Sequence, residues 1–393
     1  MKIEEIIKLD KANYLNTFGD RIPVAFERGE GVYLYTEEGE SYLDFFAGIA
    51  VNALGHAHKN FTEALHEQLD KLLHTSSIYY VKNQALLAQR ITQNSCADKV
   101  YFANSGAEAN EAAVKLAKIY FYKQDKNKTD VITLRSSFHG RTMAMVAATG
   151  QEKYQKPYYP LTPGFSHVPI NDIAALKAAI TDKTCAILVE PIQGESGVHP
   201  LEMSYAKKLR ELCDEKDIIL IFDEVQTGMG RTGHLFAYQM LGVEPDIFTL
   251  AKALGGGIPI GAVCAKDFVA KGFEPGDHGG TFGGNPFATA AGLAVFDIIE
   301  KEHLCENAAI MGKYLAEKVK ALSLPQIKQI RQFGLMIGIE TEDGAAQLWQ
   351  KSLFEHKVLV GSVAGKILRV LPPLIVERLQ IDEFVEKLSE TAK

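Results

Sequence analysis

The sequence predicts an α/β protein in which a large, mainly parallel sheet is covered on both faces by helices and accompanied by a smaller α+β unit. Two observations carry this. Between about residues 50 and 265, short unbroken apolar runs alternate with helical patterns. A strand that is apolar on both sides has no solvent face, which is the situation of a parallel sheet between two helical layers. Toward both ends the pattern changes to hairpin and strand–helix alternation. At roughly 150 residues per domain, the 393 residues also have length for two or three domains.

The elements follow in order. Gly31–Tyr35 and Ser41–Asp44, separated by Glu37-Glu38-Gly39-Glu40, have the pattern of a hairpin. Lys99–Ala103 is strand-like and precedes a long helical stretch through Tyr122. Val131–Leu134, Cys185–Val189 and Ile218–Phe222 are continuous apolar runs, rich in β-branched or aromatic residues. Beyond about residue 300, helical stretches alternate with two strand candidates, Leu335–Glu340 and Lys366–Val370. The expected division is an N-terminal segment (1–48) that joins the smaller unit, a large domain (49–298) and a C-terminal small domain (299–393). In parallel sheets ligands collect at the carboxyl ends of the strands. The residues there are polar: Asn104-Ser105-Gly106, Ser136-Ser137-Phe138-His139, Glu190 and Asp223-Glu224.

Composition excludes several classes of function. Lys and Arg number 42 against 49 Asp and Glu, a net charge of −7 with no block of one sign, so there is no electrostatic footprint for nucleic acid or an anionic membrane. No run approaches about 18 apolar residues, the length that spans a bilayer. The opening residues, Met1–Ile6, are charged and helical, without a signal-peptide apolar region. Five scattered cysteines without a CxxC pair read as reduced thiols of a cytoplasmic protein, not as a metal site. His56, His58, His66 and His74 lack zinc-site spacing and read as loop and helix-surface residues.

Four stretches carry candidate chemistry. Asn104–Asn110 joins a strand to a helix, and its small residues suit either a phosphate cradle or a plain capping box of Ser105 and Glu108. Asp223-Glu224 ends the most apolar run; such carboxylates are costly in a dry setting unless a cation faces them, the other reading being two solvated loop acids. Lys252, among apolar residues and followed by Gly255-Gly256-Gly257, is either a surface lysine or a desolvated amine suited to Schiff-base chemistry. Gly228–Gly233 matches G-x-G-x-x-G, but no acid follows at dinucleotide spacing, and it reads as a flexible loop.

Together these blocks resemble the class III (subgroup II) pyridoxal-phosphate aminotransferases over nearly the whole chain. The most specific match is Ile221–Gly233, with Lys252 placed 29 positions after Asp223. Asn104–Ala109, Ser137–Thr142 and Gly280–Pro286 match in the same order. The resemblance implies the fold-type-I architecture of pyridoxal-phosphate transferases, with pyridoxal 5'-phosphate as cofactor and no metal. It assigns Lys252 to covalent attachment of the cofactor and proton transfer, and Asp223 to the pyridine nitrogen. Gln226 falls to the phenolic oxygen, Phe138 to a ring face, and Gly106 and Ala107 to the phosphate. Ser105 and His139 complete the cofactor set. Thr281 adds a hydroxyl from the neighbouring subunit, which implies a homodimer with shared sites.

For the substrates, Arg141 corresponds to an arginine for a substrate carboxylate. Arg369 corresponds to the arginine for the α-carboxylate of 2-oxoglutarate, and Glu195 to its gating partner. Gly280 stands beside the substrate where relatives often carry Ser or Thr. Within the family the chain is most similar to enzymes that move the terminal amino group of N2-acetylornithine to 2-oxoglutarate, giving N-acetylglutamate 5-semialdehyde and glutamate in arginine biosynthesis. Ornithine, N-succinyl-diaminopimelate and 4-aminobutyrate are the alternative donors. From another class, an NAD-dependent oxidoreductase rests on the glycine pattern alone.

Overall fold

Seven strands form one sheet in the computed structural model, which describes residues 1–19 and 21–392. Their spatial order is Lys99–Ala103, Gly261–Ala265, Ile247–Leu250, Ile219–Asp223, Thr184–Val189, Asp130–Leu134 and Phe165–Val168. Only Gly261–Ala265 runs against the others, pairing antiparallel with both neighbours. The apolar runs are unbroken because both faces are covered. In the central strand Leu220 and Phe222 enter the core on one face, and Ile219 and Ile221 enter a second apolar cluster on the other. The first face is covered by Lys82–Gln93, Met203–Lys216 and Pro286–Lys301, and the second by Gly106–Tyr122.

The chain ends meet. Arg28–Glu30, Tyr33–Tyr35 and Ser41–Asp44 form an antiparallel meander that includes the expected hairpin. Its last strand takes Val358–Leu359 alongside in parallel, so residues near both termini share one sheet. A second four-stranded sheet holds Ile327–Phe333, Met336–Thr341, Ile367–Val370 and Gly361–Val363 in that order.

The apolar pattern missed several strands for physical reasons. Gly261–Ala265 is built of small residues, Phe165–Val168 is an edge strand with two polar positions, and Ile327–Phe333 alternates poorly because it carries Lys328, Gln329, Arg331 and Gln332. Two loop readings are corrected. Gly228–Thr232 is not a flexible loop but a buried one. Arg231 is 1% exposed and donates from Nη1 to the carbonyls of Leu335 (3.0 Å) and Pro372 (2.5 Å), tying this loop to the C-terminal half of the chain. His56 is not a free surface histidine: its Nε2 lies 2.8 Å from Oδ2 of the buried Asp44. Among the described residues no helix is long and apolar enough to cross a membrane.

Candidate active site

A cavity of about 440 Å³ opens at the carboxyl ends of the large sheet, lined by residues that follow five of its strands. At one side Ser105 ends the extended segment after Lys99–Ala103 and caps the helix Gly106–Tyr122, its Oγ accepting from Glu108 N–H at 3.2 Å. Glu108 reaches back to the backbone N–H of Asn104 at 2.6 Å, so the reciprocal cap forms one residue earlier than a capping box places it. The first N–H groups of a helix have no intrahelical partner, and here those of Gly106 and Ala107 belong to the cavity wall. Position 106 must be glycine: a Cβ would stand 2.8 and 2.9 Å from the two methyls of Val225. The capping reading therefore holds, and it leaves the first N–H groups of the same turn at the cavity wall.

Asp223 and Glu224 are both buried, which removes the reading of two solvated acids. They do different work. Asp223 faces the cavity and accepts from Asn110 Nδ2 (2.7 Å) and the Val225 N–H (3.0 Å), with His139 Nδ1 at 2.8 Å from its Oδ2. Asn110 is fixed in turn by Thr249 Oγ1 (2.7 Å) and donates also to the His139 carbonyl (2.9 Å). Glu224 points away and accepts the N–H groups of Ala237 and Tyr238, which begin the helix Ala237–Leu241. Burial pushes the Glu224 carboxyl up to about 7.

Lys252 follows the strand Ile247–Leu250 and lines the same cavity. Burial draws its amine below the ordinary lysine range; Glu195 works against this and Arg369 with it. Its backbone has φ +45°, a left-handed conformation that few residues with a Cβ adopt, costing of order 1 kcal/mol and persisting where the surroundings enforce it. Glu190 accepts the Phe138 N–H at 2.9 Å, which fixes the aromatic residue of the cavity wall. Burial, with Asp223 nearby, raises the Glu190 carboxyl well above the carboxylate range. The Gln226 amide oxygen and His139 Nε2 are buried and have no hydrogen-bond partner among the described residues.

Two arginines complete the site. Arg369 is buried behind Glu195, and its Nη1 donates to Glu195 Oε1 at 2.7 Å and to the Gly194 carbonyl at 3.2 Å. Burial works to raise the Glu195 carboxyl, but Arg369 overrides it and holds the group below its ordinary value. Arg141 lies at the exposed mouth, its guanidinium 4.0 Å from the ring centre of Tyr154 and 5.4 Å from that of Phe138.

Ser105, Gly106, Ala107, Phe138, His139, Arg141, Glu195, Asp223, Gln226 and Lys252 are thus brought to one cavity, with Arg369 one side chain behind it. Gly280 and Thr281 are not: they lie exposed on a loop outside the wall. Asn110 and Glu190 were given no role from the sequence. The signals were present, in a polar residue within an alanine-rich helix face and an acid closing an apolar strand.

The family model described as aminotransferase class-III matches residues 14–392. The chain belongs to the class-III aminotransferases. Among members of this family, it is 49% identical over 393 residues to the acetylornithine aminotransferase of Methanocaldococcus jannaschii, covering 99% of this chain and 98% of that protein. The crystal structure of the acetylornithine aminotransferase from Elizabethkingia anophelis superposes with a TM-score of 0.88 at 34% identity, covering 100% of this chain and 99% of the other. An ornithine aminotransferase from Toxoplasma gondii, whose structure reveals partial occupancy of PLP at the active site, superposes with a TM-score of 0.94 at 30% identity. That match covers 99% of this chain and 94% of the other.

Proposed function

We propose that this aminotransferase moves the terminal amino group of N2-acetylornithine to 2-oxoglutarate, giving N-acetylglutamate 5-semialdehyde and glutamate. The observation that carries the reading is the 2.7 Å Glu195–Arg369 pair at the cavity that also holds Lys252 and Asp223. The names of the relatives at about half identity support the same choice of donor.

The cavity fits pyridoxal phosphate. It offers a helix N-terminus for the phosphate, a buried carboxylate, an amine of lowered basicity, and an unpartnered amide oxygen suited to a hydroxyl. When bound, this cofactor supplies an electron sink that lets a proton leave the carbon bearing the amino group. The Gly106 and Ala107 N–H groups would hold its phosphate, Phe138 would cover a ring face, Gln226 would meet the phenolic oxygen, and Asp223 would oppose the ring nitrogen. His139 acts through Asp223, orienting it from behind. Lys252 would hold the cofactor covalently and, once displaced by the donor amine, carry protons on its Nζ to and from the substrate.

Arg141, exposed at the mouth, would take the far carboxylate of the donor. One charge-assisted hydrogen bond is worth about 1.5–3 kcal/mol, so Arg141→Ala weakens carboxylate-bearing donors at least tenfold. An amine without that carboxylate is nearly indifferent to the change, and kcat/KM for the two kinds of donor checks this; equal losses contradict the role.

Glu195 and Arg369 form a switch between two substrates. The donor presents an uncharged methylene beside its terminal amine, whereas 2-oxoglutarate presents a carboxylate beside its keto group. With Glu195 in place the Arg369 charge is masked; when the 2-oxoglutarate carboxylate arrives, Glu195 swings aside. The pair is not a surface pair, which would be worth only about 0–1 kcal/mol: the Arg369 side chain is 5% exposed. Glu195→Ala leaves the 2-oxoglutarate half-reaction no slower. It raises glutamate relative to N2-acetylornithine as donor by roughly tenfold, the worth of one charged hydrogen bond. Single-turnover measurement of each half-reaction checks this; equal slowing of both means that Glu195 is merely structural.

The active unit is a homodimer. Leu72, Leu73, Ile78, Tyr79, Tyr80 and Phe282 expose large apolar surface, more than single scattered residues account for. Phe282 lies against His74 with its ring tilted (ring centres 5.2 Å apart), and the exposed Thr281 stands beside it, where a second copy would receive it. Unpaired cysteines fit a cytoplasmic location. Mixing N2-acetylornithine with 2-oxoglutarate should yield semialdehyde and glutamate in equal amounts. A requirement for a nicotinamide cofactor, or product without glutamate, contradicts the reading.

A further inference from the structure

The loop that carries Glu195 is gripped at both ends by one row of the C-terminal sheet. Arg331 pairs with Gly338 across two strands, and Gly338 pairs with Arg369 across the next, so the three residues stand side by side. At one end of the row Arg369 holds the Gly194 carbonyl and the Glu195 carboxylate. At the other, Arg331 donates from both Nε (3.1 Å) and Nη2 (3.0 Å) to the single carbonyl of Gly197. Arg331 is itself fixed, since its Nη1 donates to Glu340 Oε2 at 2.5 Å and Gln329 Oε1 at 2.8 Å, and its residue is only 8% exposed. Between the arginines the loop backbone rests against Gly338. A Cβ at that position would stand 2.8 Å from the Gly197 oxygen and 3.1 Å from Val198 Cβ. The far end of the loop is equally confined, because Gly197 has φ +119° and Ile367 leaves no room for a Cβ there.

We propose that Arg331 is a positioning residue for substrate choice, which with Gly338 sets where the 194–197 loop rests and so holds Glu195 over Arg369. The inference rests on the switch described above. Its physical sense is a division of labour. A gate must move a side chain without moving its hinge, and two arginines on one rigid row fix the loop backbone at residues 194 and 197. The Glu195 side chain is then the part that yields to an arriving carboxylate. Arg331 touches neither substrate nor cavity: all its hydrogen bonds go to the Gly197 carbonyl, Glu340 and Gln329. If the clamp is released, Glu195 spends less time on Arg369, the charge is unmasked, and α-amino acids gain as donors.

The test is the ratio of single-turnover kcat/KM for glutamate to that for N2-acetylornithine, measured on the cofactor-loaded enzyme. Wild type is compared with Arg331→Ala, Arg331→Lys, Gly338→Ala and Glu195→Ala. Residues that act on a site through an intervening element shift its selectivity modestly, so Arg331→Ala should raise the ratio roughly three- to tenfold. Arg331→Lys, which keeps one donor for the Gly197 carbonyl, should fall between wild type and alanine. Gly338→Ala should move the ratio in the same direction without any change of charge, and it carries the test if the arginine variants do not fold. Added to Glu195→Ala, Arg331→Ala should raise the ratio no further, because both act through one carboxylate. A merely structural arginine would slow both donors alike and leave the ratio unchanged. If Glu195→Ala shifts the ratio and the Arg331 and Gly338 variants do not, the clamp is refuted and the switch stands. If Glu195→Ala leaves the ratio unchanged, the switch and the clamp fall together.

Discussion

Replacing Lys252 with alanine removes nearly all amino transfer, and borohydride no longer fixes the cofactor to the chain. The expected loss is at least about a thousandfold in turnover, since a positioned proton-transfer group alone contributes roughly 10²–10⁴ and the covalent tether is lost as well. Among the described residues no other lysine lines the cavity to replace it. Burial lowers the basicity of the Lys252 amine, so its neutral, reactive form is present at lower pH than for a surface lysine. Its left-handed backbone aims the residue from the end of the strand Ile247–Leu250. Mass analysis of the reduced protein decides the point: a Lys252→Ala enzyme that still takes up label sinks the assignment.

Asp223→Asn slows catalysis by roughly two to three orders of magnitude. Breaking one partner out of a buried charge pair costs about 3–5 kcal/mol, and each 1.36 kcal/mol is tenfold in rate. The structure adds a second cost. Asn110 Nδ2 and His139 Nδ1 both converge on Oδ2, so an asparagine that turns its amide nitrogen there sets donors against one another. Turning it the other way sets that nitrogen against the Val225 N–H. Gln226 is proposed to meet a different atom of the cofactor, so its loss should be milder. Rates of the donor half-reaction measure this, and a loss below tenfold means that Asp223 is no more than a wall residue.

The large sheet was legible because its strands are apolar on both faces, and the polar residues that end them are the ones that meet at the cavity. The cap at Ser105 and the isolation of Lys252 among apolar residues were equally visible, although each allowed two readings until the blocks were taken together. What could not be read from the residues alone depends on long-range register. Glu195 and Arg369 are 174 positions apart, and Asn110 and Asp223 are separated by 113. The Arg331–Gly338–Arg369 row exists only once three strands are aligned, and one of them is too polar to announce itself as a strand. The glycine run misled for the opposite reason: its local pattern suggested freedom, while the buried Arg231 ties it down from 104 and 141 positions away.

The most direct test of the account is a donor series followed in single turnovers. The wild-type, cofactor-loaded enzyme is mixed in turn with N2-acetylornithine, ornithine, N-succinyl-diaminopimelate and 4-aminobutyrate, and then returned with 2-oxoglutarate. The account predicts the highest kcat/KM for N2-acetylornithine and one glutamate formed for each amino group taken up. A higher value for any of the other three donors, or a return that 2-oxoglutarate does not drive, contradicts it.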